Sequence, residues 1–149
     1  MRAVVMRVKN ARVTVTGSGE LLGQCGKGFL ILLGVHVDDT EAEADKIADK
    51  ICGLRVFEDD QGKMNVYPMD AGADLLIVSQ FTLWADCHSR RPGFTRAARP
   101  ETAIPLYERV IAQCRERGFH VETGEFGADM QVFSQNDGPV TILLDTEEL

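Results

Sequence analysis

The stretch VSQFTLW, Val78 to Trp84, puts polar residues into what reads as a buried strand. Ser79 and Gln80 are consecutive, so strand alternation turns one of them inward. A polar strand end of this kind can aim its backbone N–H groups at a ligand, which is how an oxyanion is held. A second stretch, NDGPVT from Asn136 to Thr141, runs directly into the apolar ILLD. Proline offers no N–H to a sheet ladder and is kept to edges, bulges and turns. Gly138-Pro139 therefore either closes a hairpin or presents its backbone to a ligand. Cys87 beside His88 pairs a thiol with an imidazole, but adjacent residues on a strand or loop point apart, which argues against a nucleophile with its base.

The elements that must position these residues belong to an ordinary globular chain. With 44% hydrophobic and 26% charged residues, neither disorder nor a membrane class is indicated. The longest apolar run, FLILLGV from Phe29 to Val35, is far too short to span a bilayer, and the N-terminus has no signal-peptide core. A single domain over residues 1–149, cytoplasmic and without a membrane partner, is expected. The cysteines at 25, 52, 87 and 114 contain no C-x-x-C, so neither a metal site nor a disulfide framework is expected. Cys52 and Cys114 fall on helical faces as packing residues. No Gly-rich nucleotide loop occurs, and no cofactor is expected. The net charge of −7 argues against a general nucleic-acid binder. Yet Cys87 to Pro100 holds Arg90, Arg91, Arg96 and Arg99 with no acid. That loop either steers a phosphate backbone or is simply solvated.

Strands are predicted at 3–15, 20–25, 28–37, 54–59 and 73–84, then near 119–123, 130–135 and 140–145. TGSGE and CGKG read as hairpin turns joining the first three. One helix starts at a capping box, Thr40 with Glu43, and repeats Ala44, Ile47, Ala48, Ile51 and Leu54 at helical spacing. Another runs from about Glu101 to Arg117, where Pro105 is tolerable only in the first turn. The fold class is α+β: a mainly antiparallel sheet or open β-barrel with two packed helices.

SQFTL at 79–83 together with NDGPVT at 136–141 resembles the two signature motifs of D-aminoacyl-tRNA deacylases of the D-tyrosyl-tRNA type. The likeness continues in MRAVVMRV at the start, FEDDQGKMN at 57–65, RRPGFTRAA at 90–98 and FGADMQV at 126–132. Two motifs in order, at this spacing in a chain of this size, are specific where either alone would be weak. The resemblance implies a homodimer, with its active site at the subunit interface, that hydrolyses the ester between a D-amino acid or glycine and the 3′-terminal ribose of tRNA.

The residue roles follow from the same resemblance. Gly138 and Pro139, joined by a cis bond, would reach into the partner's site as the chiral filter. Their carbonyls would hold the substrate's α-ammonium, so a methyl on Gly138 would enter that space. Ser79, Gln80, Phe81 and Thr82 would form the catalytic segment, the N–H groups of Phe81 and Thr82 receiving the oxyanion. No protein nucleophile is implied; the 2′-hydroxyl of the terminal adenosine would help to activate water, with Thr82 as the rival nucleophile. Phe126, Gly127 and Met130 would hold the terminal adenine, and Arg7 would brace the Gly-Pro loop. Ala98, Asn136 and Thr141 would complete the substrate contacts, and Arg90 and Arg91 would meet the tRNA backbone. Read without the family, Phe126 and Met130 are core residues and Arg7 is an exposed strand charge. Met6 stands where the family usually has glutamine, and Gly93 where serine is more usual. A non-catalytic module binding an RNA end or an amino acid on the same fold is the alternative function.

Overall fold

In the computed structural model, which describes residues Met1–Leu149, the first strand organises the sheet. β1 (Arg2–Val15) alternates buried and half-buried residues from Arg2 through Arg7, as a pleated strand with one core face must. Along one of its edges lie β2 (Leu21–Cys25) and β3 (Gly28–Gly34), both antiparallel and in a single continuous register from Arg2↔Gly34 through Val8↔Gly28 to Ala11↔Cys25. CGKG is therefore no hairpin turn but a short interruption in one extended run. Close approach explains its glycine: a Cβ on Gly28 would lie 1.9 Å from the Asp74 carbonyl oxygen.

The rest of the sheet corrects the expected antiparallel character. β3 pairs in parallel with β6 (Asp74–Ser79), and β6 in parallel with β7 (Val121–Thr123). The sheet is mixed. FLILL and LLIV are unbroken apolar runs, as befits strands with both faces covered. Parallel neighbours need crossovers, supplied by α1 (Glu41–Gly53) and α2 (Pro100–Glu116). The helices run side by side in the same direction, tied by Arg109 to Asp45 at 2.7 Å and Arg117 to Asp49 at 3.5 Å. The capping box of α1 is formed, with Thr40 N–H donating to Glu43 at 2.6 Å. In α2 Pro100 opens the helix, so Pro105 falls in the second turn and leaves the exposed Glu101 without its intrahelical donor. The span expected as a strand at 54–59 shrinks to β4 (Phe57–Glu58), paired with β5 (Met64–Val66) in a small separate hairpin.

A core of 25 buried residues lies between helices and sheet, and a smaller cluster including Val8, Val13, Leu30, Leu76 and Val78 fills the other face. Beyond β7 the sheet curls back on β2, where a Cβ on Gly23 would meet the Thr123 carbonyl oxygen at 2.4 Å. The sheet is nearly barrel-shaped. The two late strands expected at 130–135 and 140–145 are one, β8 (Met130–Asp145), along the other edge of β1. No helix is long and apolar enough to cross a membrane.

Candidate active site

The strand expected through Trp84 stops five residues early, and that stop creates the site. Ser79 pairs with Leu33, and Gln80 N–H donates to the Leu33 carbonyl at 2.8 Å. The chain then winds into a 3₁₀ turn, Phe81–Trp84. Trp84 drives the turn. Its ring is fully buried, its indole N–H donates to the Gly34 carbonyl at 3.0 Å, and the Arg2 and Arg96 guanidiniums lie 3.9 and 4.9 Å from its centroid. Gly34 makes room: a Cβ there would stand 2.8 Å from the Gln80 carbonyl oxygen. Within the turn the first bond is Leu83 N–H to Gln80 at 3.3 Å, followed by Ala85 N–H to Thr82 at 3.2 Å. The N–H groups of Phe81 and Thr82 are left without a partner, as the first donors of any helical turn are. Phe81 is 53% exposed, its ring set edge-on against Phe94 at 5.1 Å.

Phe81 borders a pocket of about 280 Å³, with Thr82 the next residue in the turn. Ser79, Gln80 and Phe81 form one wall; Phe126, Gly127 and Met130 form the other. Sequence reasoning thus named both walls from separate motifs. Phe126 leans on Tyr107 at 6.1 Å between centroids, and the Tyr107 hydroxyl donates to the Ile77 carbonyl at 2.8 Å. Burial pushes that hydroxyl up to about 12, so it stays protonated. Gly127 has φ +80, a left-handed conformation that suits glycine. The Met130 sulfur occupies the place of a side chain at Gly124, where a Cβ would approach it to 2.7 Å. Phe126 and Met130 each pack against a core cluster, as the reading without the family expects, yet both are only half-buried and line the pocket as well. Asp129, exposed at the same pocket, was missed although FGADM contains it. The Thr82 hydroxyl accepts a hydrogen bond from the Gln80 amide, a group that is neither acid nor base.

The second motif lies elsewhere on the same chain. Between the pairs Met6↔Thr141 and Val8↔Asn136, Arg7 of β1 faces Asp137, Gly138, Pro139 and Val140 together, so β8 bulges out of the sheet. The Gly138-Pro139 bond is cis. Asn136 and Thr141 are the exposed flanks of the bulge. Arg7 is no exposed strand charge: it is 6% exposed and donates to the Val56 carbonyl at 2.7 Å and to the Asp137 carbonyl at 3.2 Å. Gly138 has φ +119, and a Cβ there would meet Arg7 at 3.0 Å and Val140 at 2.9 Å. A methyl at 138 therefore collides with its own chain before it reaches any ligand. Along β8 the bulge stands roughly 25 Å from Met130 at about 3.3 Å per residue. Within one chain the two motifs do not meet.

Other expected residues are placed as follows. Ala98 donates its N–H to the Val35 carbonyl at 2.9 Å, packs on the main core, and does not line the pocket. Arg90 and Arg91 are exposed on the loop whose Phe94 touches Phe81, next to the pocket mouth. The His88 ring approaches Asp86 at 3.3 Å, and no hydrogen bond joins it to the Cys87 thiol. Met6 sits opposite Thr141, and a Cβ at Gly93 would touch nothing within 4 Å, so the usual serine would fit there freely.

The fold and site define a small α+β protein whose pocket opens at the end of a parallel strand and is lined by backbone donors and half-buried apolar side chains. The family model for D-Tyr-tRNA(Tyr) deacylase matches residues 4–145, and the chain belongs to that family. It is 57% identical to a D-aminoacyl-tRNA deacylase of Symbiobacterium thermophilum, over 99% of this chain and 97% of that one. It is 54% identical to a D-aminoacyl-tRNA deacylase of Thermus aquaticus over the same shares. A solved structure described as c-Myc DNA Unwinding Element Binding Protein superposes with a TM-score of 0.90 at 43% identity, covering 97% of this chain and 98% of the other.

Proposed function

We propose that this chain hydrolyses the ester bond of D-aminoacyl-tRNA, and of glycyl-tRNA, to free tRNA and amino acid in the cytoplasm. The observation that carries the reading is the start of the 3₁₀ turn, where Phe81 lines a pocket whose opposite wall is Phe126 and Met130 and the N–H groups of Phe81 and of the adjacent Thr82 have no partner within the turn. An unpaired adenine packs well on such a wall, as RNA ends commonly do on aromatic and apolar side chains. With the adenine there, the ester carbonyl of the 3′-ribose reaches the strand end. Water adds to the carbonyl carbon, losing its proton towards the neighbouring 2′-hydroxyl. The oxyanion takes hydrogen bonds from the two N–H groups. The bond to the 3′-oxygen then breaks, and that oxygen regains a proton. Each donor of this kind is worth about 3 kcal/mol of barrier.

Selection of handedness falls to a homodimer. Gly138 and Pro139 of the partner subunit close the pocket, their carbonyls holding the α-ammonium and standing where an L side chain must point. The exposed bulge, remote from the pocket of its own chain, supports this arrangement. So does β8 itself, an edge strand that leaves Phe133 and Leu143 exposed, the latter at 77%. A backbone filter serves many D side chains because it reads only what they share.

Matched D- and L-aminoacyl-tRNA pairs test the function. Rapid release from the D-ester with the L-ester intact is expected. Binding of both without turnover would instead make the chain a non-catalytic RNA-end module.

A further inference from the structure

We propose that Cys52 and Cys114 form an oxidisable dithiol, a modification site at which a hydroperoxide closes a disulfide between α1 and α2. Both cysteines are free, and their sulfurs lie 3.7 Å apart between the two parallel helices. Neither belongs to the candidate active site. Their access differs: Cys114 is fully buried, whereas Cys52 is partly open to solvent. An oxidant therefore meets Cys52 first.

The surroundings set the two sulfurs unequal roles. The neighbouring Cys114 sulfur and the nearby Arg117 guanidinium hold the Cys52 thiol below its ordinary value, against the opposing effects of burial and Asp49. Cys114 is pushed up by the same contact and by burial. The outer cysteine is thus the readier of the two to ionise. That is the order a peroxide-sensing pair needs, with a low-pKa accessible sulfur beside a resolving one. The remaining cysteines serve as internal controls. Cys25 is buried, its thiol pushed up to about 11, and Cys87 is exposed on a loop with no second thiol beside it.

The chemistry balances in two steps. The Cys52 thiolate attacks the terminal oxygen of the hydroperoxide, the O–O bond breaks, and the departing alkoxide takes a proton to leave as an alcohol. Cys52 is then a sulfenic acid. Cys114 gives up its proton as its sulfur attacks that of Cys52, the S–O bond breaks, and water leaves carrying the proton. Two thiols lose two electrons and the hydroperoxide gains them. Closing the gap to about 2.05 Å requires side-chain rotation and a small approach of the helix ends. The bond would link the C-terminal turns of both crossovers and restrict the unfolded chain between them.

The test uses the full chain carrying Cys87→Ser, treated with a small excess of hydrogen peroxide. Intact mass should fall by two hydrogens, and non-reducing peptide mapping should join Cys52 to Cys114. The thermal midpoint should rise by several degrees and return when dithiothreitol is added. Cys52→Ser, a near-isosteric change at a half-buried position, should keep the fold and abolish the cross-link and the shift. Accumulation of Cys52 as a sulfinic acid without a cross-link would overturn the proposal. So would an unchanged mass under conditions that oxidise Cys87 in the unsubstituted chain.

Discussion

Phe81 and Thr82 contribute through their main chain, and substitutions can separate that contribution from their side chains. Phe81→Pro deletes one N–H at the first position of the 3₁₀ turn, where proline is tolerated and no intramolecular hydrogen bond is broken. Gln80, at φ −144 and ψ 82, lies outside the α region that a following proline disfavours. Turnover should fall about 100- to 1,000-fold, as when one oxyanion donor is removed. Phe81→Leu, which keeps the N–H but loses the ring on Phe94, should stay within a few-fold of the parent. Thr82→Ala should also retain most activity, because its hydroxyl meets only the Gln80 amide. Steady-state kcat on D-aminoacyl-tRNA checks all three, and a trapped acyl-enzyme on Thr82 would contradict the backbone account. At this scale the sequence was informative wherever a motif was local. Ser79–Thr82 and Phe126–Met130 are each a few residues long, and Ser79, Gln80 and Phe81 line the pocket together with Phe126–Met130. Arg7 was misread without the family because its burial depends on Asp137 and Val56, which lie far away in sequence.

Among the elements, the helices were legible and the sheet direction was not. The Thr40–Glu43 box and the spacing of Ala44, Ile47, Ala48 and Ile51 declare α1 from local chemistry alone. Whether β3 and β6 run parallel depends on a crossover of some forty residues, which periodicity cannot see. The break after Ser79 was invisible for a similar reason, since it is set by Trp84 locking onto Gly34 across the sheet. The cap is open to measurement. Thr40→Ala should cost about 1 kcal/mol and lower the thermal midpoint by roughly 2–4 °C for a chain of this size. Hydrogen bonds from the Thr40 side chain and backbone hold the Glu43 carboxyl below its ordinary value. Its contribution is therefore present above the ordinary carboxylate pKa and lost as pH falls through the depressed one. The difference between parent and Thr40→Ala midpoints should accordingly narrow under acid. The arginine loop makes a separate prediction. Replacing Arg90 and Arg91 with glutamine should weaken tRNA binding and flatten its salt dependence, by about 0.7–0.9 in log–log slope for each phosphate no longer neutralised. An unchanged slope would mean that the loop is only solvated.

As a whole molecule, the chain presents a pocket and a backbone bulge too far apart to serve one substrate. Two copies resolve this if the bulge of each closes the pocket of the other. Gly138→Ala disables the bulge, because at φ +119 the added methyl is strained and runs into Arg7 and Val140. Phe81→Pro disables the pocket. The decisive measurement is D-aminoacyl-tRNA deacylation by a purified heterodimer with Phe81→Pro in one subunit and Gly138→Ala in the other, the two carrying different affinity tags. Each variant alone should be nearly inactive. The heterodimer combines an intact pocket from one subunit with an intact bulge from the other, so one site of two should work, giving half the parent's specific activity with D-substrates still preferred. If bulge and pocket act within a single chain, both sites of the heterodimer are broken, and activity no higher than that of the separate variants would contradict the shared site.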